Sequence, residues 1–296
     1  MKYAFIYTQR QSFPVKRLCR TLGVSRSGYY AWLGRPVSQR EKDNQALLEK
    51  IRQVYTQNRN TYGSPRIHAA LRKQGIACGR NRVARLMRQA GIRPHYFRRR
   101  VRTTRSDPGL PVAPNHLGRH FSAQYPNQKW VSDLTYIPTH QGWLFLAAIM
   151  DLFSRKIVGW ALDTSMSSSL TDHALQMALQ HRKPGLHFLH HSDRGSQYAS
   201  TSYRKLLNDY LSQISMSQAG NCYDNAPMES FFASLKKELI HHQNYLTISQ
   251  AKVSIFDYIE VFYNRQRLHS SLGFCSPDEF ELSFQPSLSS ESIFSG

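Results

Sequence analysis

The sequence predicts a mixed α/β core preceded by an all-α region, and three observations predict it. Charge is divided along the chain: residues 1–120 hold 26 Lys+Arg and 4 Asp+Glu, a net of +22, whereas residues 121–296 hold 13 and 15, a net of −2. Apolar residues before residue 95 recur at helical spacing in segments closed by glycine. From about residue 127 the period becomes that of strands, interrupted by further helical stretches.

Val15, Leu18, Cys19 and Leu22 fall on one helical face, Gly23 breaks the helix, and Ser25 can cap a second one carrying Tyr29, Tyr30, Trp32 and Leu33. Helix, glycine turn, helix is the outline of a helix-turn-helix and equally of a plain αα-hairpin. A polar, charged helix follows at about 39–58. Tyr62-Gly63-Ser64-Pro65 then opens another, with Pro65 near its first position, Ile67, Ala70 and Leu71 inward, and Gly75 at its end. The next runs from about Arg80 to Gln89 and ends at Gly91. Val83, Leu86 and Met87 make its core stripe, and Arg82, Arg85 and Arg88 recur every three residues on the other side. A charge run is ordinarily a solvated face. Here no carboxylate lies between Lys73 and Arg105, so these arginines repel one another unless phosphates sit nearby. Residues 93–115, with Arg98, Arg99, Arg100 and Arg102 ahead of Asp107-Pro108-Gly109, Pro111 and Pro114, have the composition of a linker that would track a DNA backbone.

In the second part, Lys129 to Pro138 alternates as a half-buried strand does, Trp143 to Asp151 is an apolar run suited to a central strand, and Arg155 to Leu162 is a third strand. Turns with Gly142 and Ser154 separate them, so an antiparallel meander is natural. A helix at about 168–181, a strand at 186–192, a helix at 200–210, a strand at 212–217 and a helix at 227–241 opened by Pro227 complete the order. Three strands, helix, strand, helix, strand, helix is the order of a ribonuclease-H-like fold.

Composition excludes several classes. With 41% hydrophobic residues the chain can bury a core, yet it has no apolar run of about eighteen residues, the length a membrane span requires. Met1 to Gln11 lacks the apolar stretch of a signal peptide, which points to the cytoplasm. Cys19, Cys78, Cys222 and Cys275 lie far apart with no C-x-x-C pair, so they read as free thiols rather than a zinc ribbon or disulfide framework. The basic half releases counterions on meeting a nucleic acid, and no amphipathic helix with an exposed aromatic face suggests a membrane surface instead.

Three acids land where chemistry can use them. Asp133 sits midway along the first strand, Asp193 directly follows the fourth, and Glu229 lies in the first turn of the last long helix, with 35 residues between the latter two. A phosphodiester has a shielded phosphorus and a poor leaving group. Two hard divalent cations held by carboxylates can activate the attacking oxygen and stabilise the departing one. Taken singly, Asp193 can be a turn residue and Glu229 a helix-start charge. Asp133 is harder to explain structurally, because an acid inside an apolar strand costs energy unless paired. Asp151, Asp163 and Asp224 are rival candidates, the first two ending strands and the third in a polar loop.

The stretches Trp130-Val131-Ser132-Asp133-Leu134-Thr135-Tyr136, His191-Ser192-Asp193-Arg194-Gly195-Ser196-Gln197-Tyr198 and Asn221-Cys222-Tyr223-Asp224-Asn225-Ala226-Pro227-Met228-Glu229-Ser230-Phe231-Phe232 resemble the DDE transposases of bacterial insertion sequences, relatives of retroviral integrases, in their second-reading-frame (orfB) type. Tyr263-Asn264, Arg267, His269, Leu272-Gly273 and Pro277 match further, and the resemblance covers about 10–280. It implies a ribonuclease-H-like core whose triad, falling on Asp133, Asp193 and Glu229, binds two Mg²⁺ with Mn²⁺ as substitute. It also matches Lys236, seven residues after Glu229 and on its helical face, to a basic residue that contacts terminal DNA. The family often carries basic residues where this chain has Gln218-Ala219. The zinc-binding domain of retroviral integrases has no counterpart, and His190-His191 reads as structural.

The expected organisation is a helix-turn-helix-like region over 1–60, a second such DNA-binding unit over 61–95, a basic linker over 96–122, the ribonuclease-H-like core with C-terminal helices over 123–284, and a disordered tail over 285–296. The expected function is metal-dependent DNA strand cleavage and strand transfer at insertion-sequence ends, through the circular intermediates that the resemblance suggests. The expected partners are double-stranded DNA of the terminal repeats and target, a homo-oligomer on DNA, and an upstream-frame partner or fusion; no membrane partner is expected. The rival reading is a non-catalytic DNA-binding accessory that needs the upstream frame.

Overall fold

A computed structural model of the chain describes residues 1–95, 113–217 and 222–284. Arg98, Arg99 and Arg100, most of the expected linker, Gln218-Ala219 and the expected tail lie outside the described residues.

The first helices are α1 (Lys2–Gln9), α2 (Val15–Thr21) and α3 (Arg26–Leu33). They close around Ile6, Cys19 and Tyr29. Gly23 takes a left-handed φ of 61°, which lets α2 end and the chain reverse. Ser25 Oγ then accepts the Gly28 N–H at 3.0 Å and caps α3. Next come α4 (Gln39–Gln57), α5 (Ser64–Lys73) and α6 (Arg80–Gln89). Leu47, Ile51 and Val54 of α4 share a core with Ile67 and Leu71 of α5 and with Val83, Leu86 and Met87 of α6. The expected boundary near residue 60 would therefore part α4 from the helices that cover its apolar face. Sequence periodicity reveals that face but not which neighbour meets it.

The sheet contains β1 (Lys129–Thr139), β2 (Gly142–Asp151), β3 (Ile157–Asp163), β4 (Leu189–Ser192) and β5 (Gln213–Met216). Their spatial order is β3-β2-β1-β4-β5. The first three form the expected antiparallel meander, whereas β4 runs parallel to β1 and β5 parallel to β4. β4 is shorter than the stretch expected at 186–192. Strand alternation splits β1 between two cores: Trp130 packs with α7 (Ser168–Arg182) and α8 (Thr201–Asn208), and Val131 and Ile137 pack on the other face with α9 (Ala226–Glu238) and α10 (Ile248–Phe256). α10 runs on into a π-helical stretch, Asp257–Tyr263, and α11 (Pro277–Leu282) closes the described chain.

α7 approaches β3 very closely at Gly159. A Cβ there would stand 2.3 Å from the Ala174 carbonyl oxygen and 2.7 Å from Ala178 Cβ. Gly159→Ala is therefore expected to push helix from sheet and cost roughly 1–3 kcal/mol, as overpacking does. A urea midpoint unchanged from the parent would contradict this close packing.

The second helical unit is docked on the core rather than tethered to it. The apolar cluster of α4, α5 and α6 is continuous with that beneath α9 and α10. Tyr62 Oη accepts the Leu268 N–H at 2.7 Å, Arg66 stands 3.6 Å from Glu238, and Arg59 pairs with Asp257. Within the expected linker, residues 113–122 are fixed as well: Leu117 is buried, and the His116 and Leu117 N–H groups donate to Ser215 Oγ at 2.9 and 3.1 Å. Among the described residues no helix is long and apolar enough to cross a membrane.

Candidate active site

β1 and β4 place two of the three acids side by side. Val131 pairs with His191 in parallel register, and Asp133 and Asp193 each lie two residues beyond that pair. Glu229 is brought to them by α9. Asn225, just before this helix, donates its side-chain amide to the Ser132 carbonyl at 3.0 Å, which ties the helix start to β1 beside Asp133. Pro227 fixes the first turn, where its missing N–H costs nothing.

Asp133 is enclosed by protein on most sides yet keeps an accessible edge. Burial first, and then the charge of Asp193, push its carboxyl well above the usual range; the Leu134 N–H, donating to Oδ1 at 2.7 Å, opposes this, and Glu229 adds to the rise. Asp193 is also raised by burial, against the Gly195 N–H that donates to it at 2.9 Å. Glu229 stands exposed at the mouth, and the protein around it raises its pKa as well. The acids thus share one field in which full ionisation is disfavoured. They are not a closed cage: among the described residues no three His, Cys, Asp or Glu side chains lie close enough to grip an ion as they stand. Lys236, half-buried on α9, has its ammonium depressed by burial and supported by Asp133, and its Nζ lies 4.8 Å from the Tyr136 ring centroid.

The three arginines of α6 are not equivalent. Arg85 and Arg88 are exposed, whereas Arg82 is half-buried and donates to Asn44 Oδ1 of α4 at 2.9 Å. The expectation of a common free face fails for Arg82, because a three-residue repeat drifts around a helix of 3.6 residues per turn. Gln39, Arg40, Asp43, Asn81, Arg82 and Arg85 line a groove between the start of α4 and α6.

The rival acids have other partners. Asp151 is fully buried beside Arg182, 3.3 Å away, and burial pushes it up to about 6. Asp163 accepts from the Thr164 N–H. Asp224, expected in an ordinary polar loop, is buried and held by Arg119 at 2.9 Å and by the Asn115 amide at 3.1 Å. Sequence reading missed this clamp on the segment that leads into α9, because its partners lie over a hundred residues upstream. His190 and His191 are buried; His190 bonds Tyr203 Oη at 3.0 Å, and His191 bonds Ser215 and Ser217 Oγ at 2.8 and 3.1 Å. Burial lowers their pKa values to about 3 and about 4.

Comparison with known proteins agrees with this architecture. The family model of the integrase core domain matches residues 123–222, a second integrase core model matches 229–283, and that of an HTH-like domain matches 42–100. The chain is 41% identical over 283 residues to the transposase InsF for insertion sequence IS3A of Escherichia coli, covering 95% of this chain and 98% of that one. It is 45% identical to an uncharacterized 31 kDa protein of insertion element IS600 from Shigella sonnei, covering 89% and 97%. Among solved structures, a simian T-cell lymphotropic virus intasome aligns with a TM-score of 0.48 and 16% identity over 74% of this chain and 72% of that one. The HTLV-2 integrase catalytic core in complex with magnesium aligns at 0.42 and 15%, over 54% and 99%. On the strength of the near-full-length identity to InsF, the chain belongs to the insertion-sequence transposases, DDE-type enzymes with an integrase core domain and an HTH-like domain ahead of it.

Proposed function

We propose that this transposase cuts one strand at the ends of its element by water attack on a phosphodiester, freeing a 3′-OH, and that this hydroxyl then displaces the leaving oxygen of a second phosphodiester. Asp133, Asp193 and Glu229 are the proposed metal-holding catalytic residues. The observation that carries the reading is their convergence: Asp133 on β1 and Asp193 just past the end of β4 lie at equal offsets from the parallel Val131–His191 pair, and the α9 start is tied to β1 through Asn225.

The donor set suits a hard divalent cation, Mg²⁺ or in its place Mn²⁺, because all three side chains offer carboxylate oxygens and their mutual repulsion is what positive charge relieves. Two bound cations would activate the attacking oxygen and stabilise the leaving one. The protein's own groups position the rest. The Leu134 and Gly195 N–H groups orient Asp133 and Asp193, Asn225 and Pro227 aim Glu229, and Lys236 sits where it can hold a phosphate beside them. Arg85 and Arg88, with Arg82 on the flank of the groove, are the proposed backbone contacts of the HTH-like domain, and Arg98, Arg99 and Arg100 the proposed contacts of the linker. Work on DNA in the cytoplasm as a homo-oligomer, with an upstream-frame partner, completes the proposal.

The test is a labelled duplex of the element's end, incubated with the protein and either Mg²⁺, Mn²⁺ or chelator. Cut strands bearing 3′-OH and joined products are expected with metal alone. Salt-sensitive binding without any product, with the upstream frame supplied as well, would instead establish an accessory DNA-binding protein.

A further inference from the structure

We propose that Trp143 and Tyr136 form a stacking platform for an unpaired nucleobase at the DNA end, with Lys236 holding a phosphate between that base and the carboxylates. This rests on the strand-transfer reading above and adds a binding subsite to it.

β1 pairs with β4 only from Lys129 to Val131, so among the described residues no strand lies beside that side of β1 past Ser132. Lys236 reaches this stretch from α9, with its Nζ over the Tyr136 ring and its charge felt by Asp133. Tyr136 in turn meets Trp143 edge to face, with centroids 5.0 Å apart and planes at 88°. Because Tyr136 pairs with Phe145, Trp143 lies two residues along β2 on the same face of the hairpin. Asp133 lies on the α9 face of β1, and Tyr136 and Trp143 on the other, so carboxylate, ammonium, phenol and indole follow one another around the open edge of the strand, with Lys236 as the link. Asp133 to Tyr136 spans about 10 Å of strand at ~3.3 Å per residue. That equals about three stacked nucleotides at ~3.4 Å each.

A packing role does not explain the indole. Trp143 is 53% exposed at the hairpin tip, although a tryptophan placed only to fill a core would be covered. An edge-to-face contact engages one side of such a pair and leaves a ring face for another π system. Bases stack on aromatics with little regard to sequence, and a cation beside the ring suits the phosphate that comes with each base. Phe256 and Trp160 form another partly exposed aromatic pair, near Lys252, but Trp160 is on β3, two strands away from β1 and its carboxylate. A nucleobase platform is useful here because freeing the terminal bases costs a few kcal/mol, and stacking returns part of it.

The experiment compares binding of a blunt duplex and of the same duplex with a few unpaired 3′ nucleotides, one of them 2-aminopurine, in Ca²⁺ so that no cutting is needed. Trp143→Ala is expected to weaken the overhang duplex about tenfold, to abolish the 2-aminopurine quench, and to leave the blunt duplex within about twofold. Trp143→Phe should retain the quench, which separates stacking from a folding defect. Equal losses on both duplexes, or a quench that survives Trp143→Ala, would overturn the platform. Since the readout is binding alone, an overhang preference that depends on Trp143 in a protein inactive with Mg²⁺ and Mn²⁺ would uphold the platform while rejecting the catalytic reading.

Discussion

Asp193→Asn is expected to abolish metal-dependent cutting and joining while DNA binding persists. Asparagine keeps the shape of the side chain and its carbonyl can still accept the Gly195 N–H, so the turn after β4 stays in place. What disappears is the negative charge facing Asp133. The cost should be on the order of 1,000-fold or more in rate, about 4 kcal/mol of transition-state stabilisation. The metal-free variant should be no less stable than the parent, because a repulsion that raises Asp133 has been removed. Single-turnover cleavage and thermal melting, measured together, test both halves. Residual activity within tenfold of the parent would mean that Asp193 is a turn residue and that the metal-holding set lies elsewhere.

His190→Gln should flatten the acid side of the stability curve. Burial, and then His191, hold the His190 pKa down to about 3, against about 6.5 for an unfolded histidine. As pH falls below 6.5, the unfolded chain takes up a proton that the folded chain refuses, so this stability is present above 6.5 and is lost on acidification. Glutamine cannot take up that proton, and its side-chain amide can bond Tyr203 Oη in place of the ring nitrogen. Asp151, raised to about 6, works the other way, regaining stability on acidification, but it does so equally in both proteins and cancels from the comparison. Whatever the gap between parent and variant at pH 7, it should shift by about 2 kcal/mol in the variant's favour at pH 5. Urea unfolding at the two pH values measures this. An unchanged gap would mean that His190 is already hydrated or protonated in the folded state.

How far the molecule could be read beforehand depended on the range of the interactions. The alternation of Trp130, Val131 and Ile137 made β1 legible, and the turns at Gly142 and Ser154 made the meander legible, because both signals lie within a few residues. The acids could be placed midway along one strand, just after another and at a helix start, but not brought together, because that needed β4 to lie parallel to β1. The motif residues near the C-terminus were recognisable without a physical role. Asn264 uses both ends of its amide on the Ile157 backbone, at 2.9 and 3.0 Å, and so fastens the start of β3. Arg267 makes two 2.7 Å bonds to the buried Glu238 near the end of α9. Burial would raise that carboxyl, and Arg267 with Arg66 holds it below the usual range. Such pairs, dozens to more than a hundred residues apart, leave no periodic trace. Trp143 was legible as a strand residue and nothing more, since exposure is a property of the assembled surface.

The seat of the HTH-like helices on the core also governs when the molecule can be finished. Tyr62 is closed over by Leu268, and Lys73 bonds Glu279, each partner 206 positions further along the chain. A ribosome releases the early helices long before those partners exist, so the part of α4, α5 and α6 that meets the core must wait, uncovered, until the final segment emerges. Contacts of such long separation form slowly and leave sticky surface available to other chains meanwhile. Completion of the transposase is therefore a late event in its own synthesis, and a chain cut short before Leu268 would carry its HTH-like helices without the support that seats them.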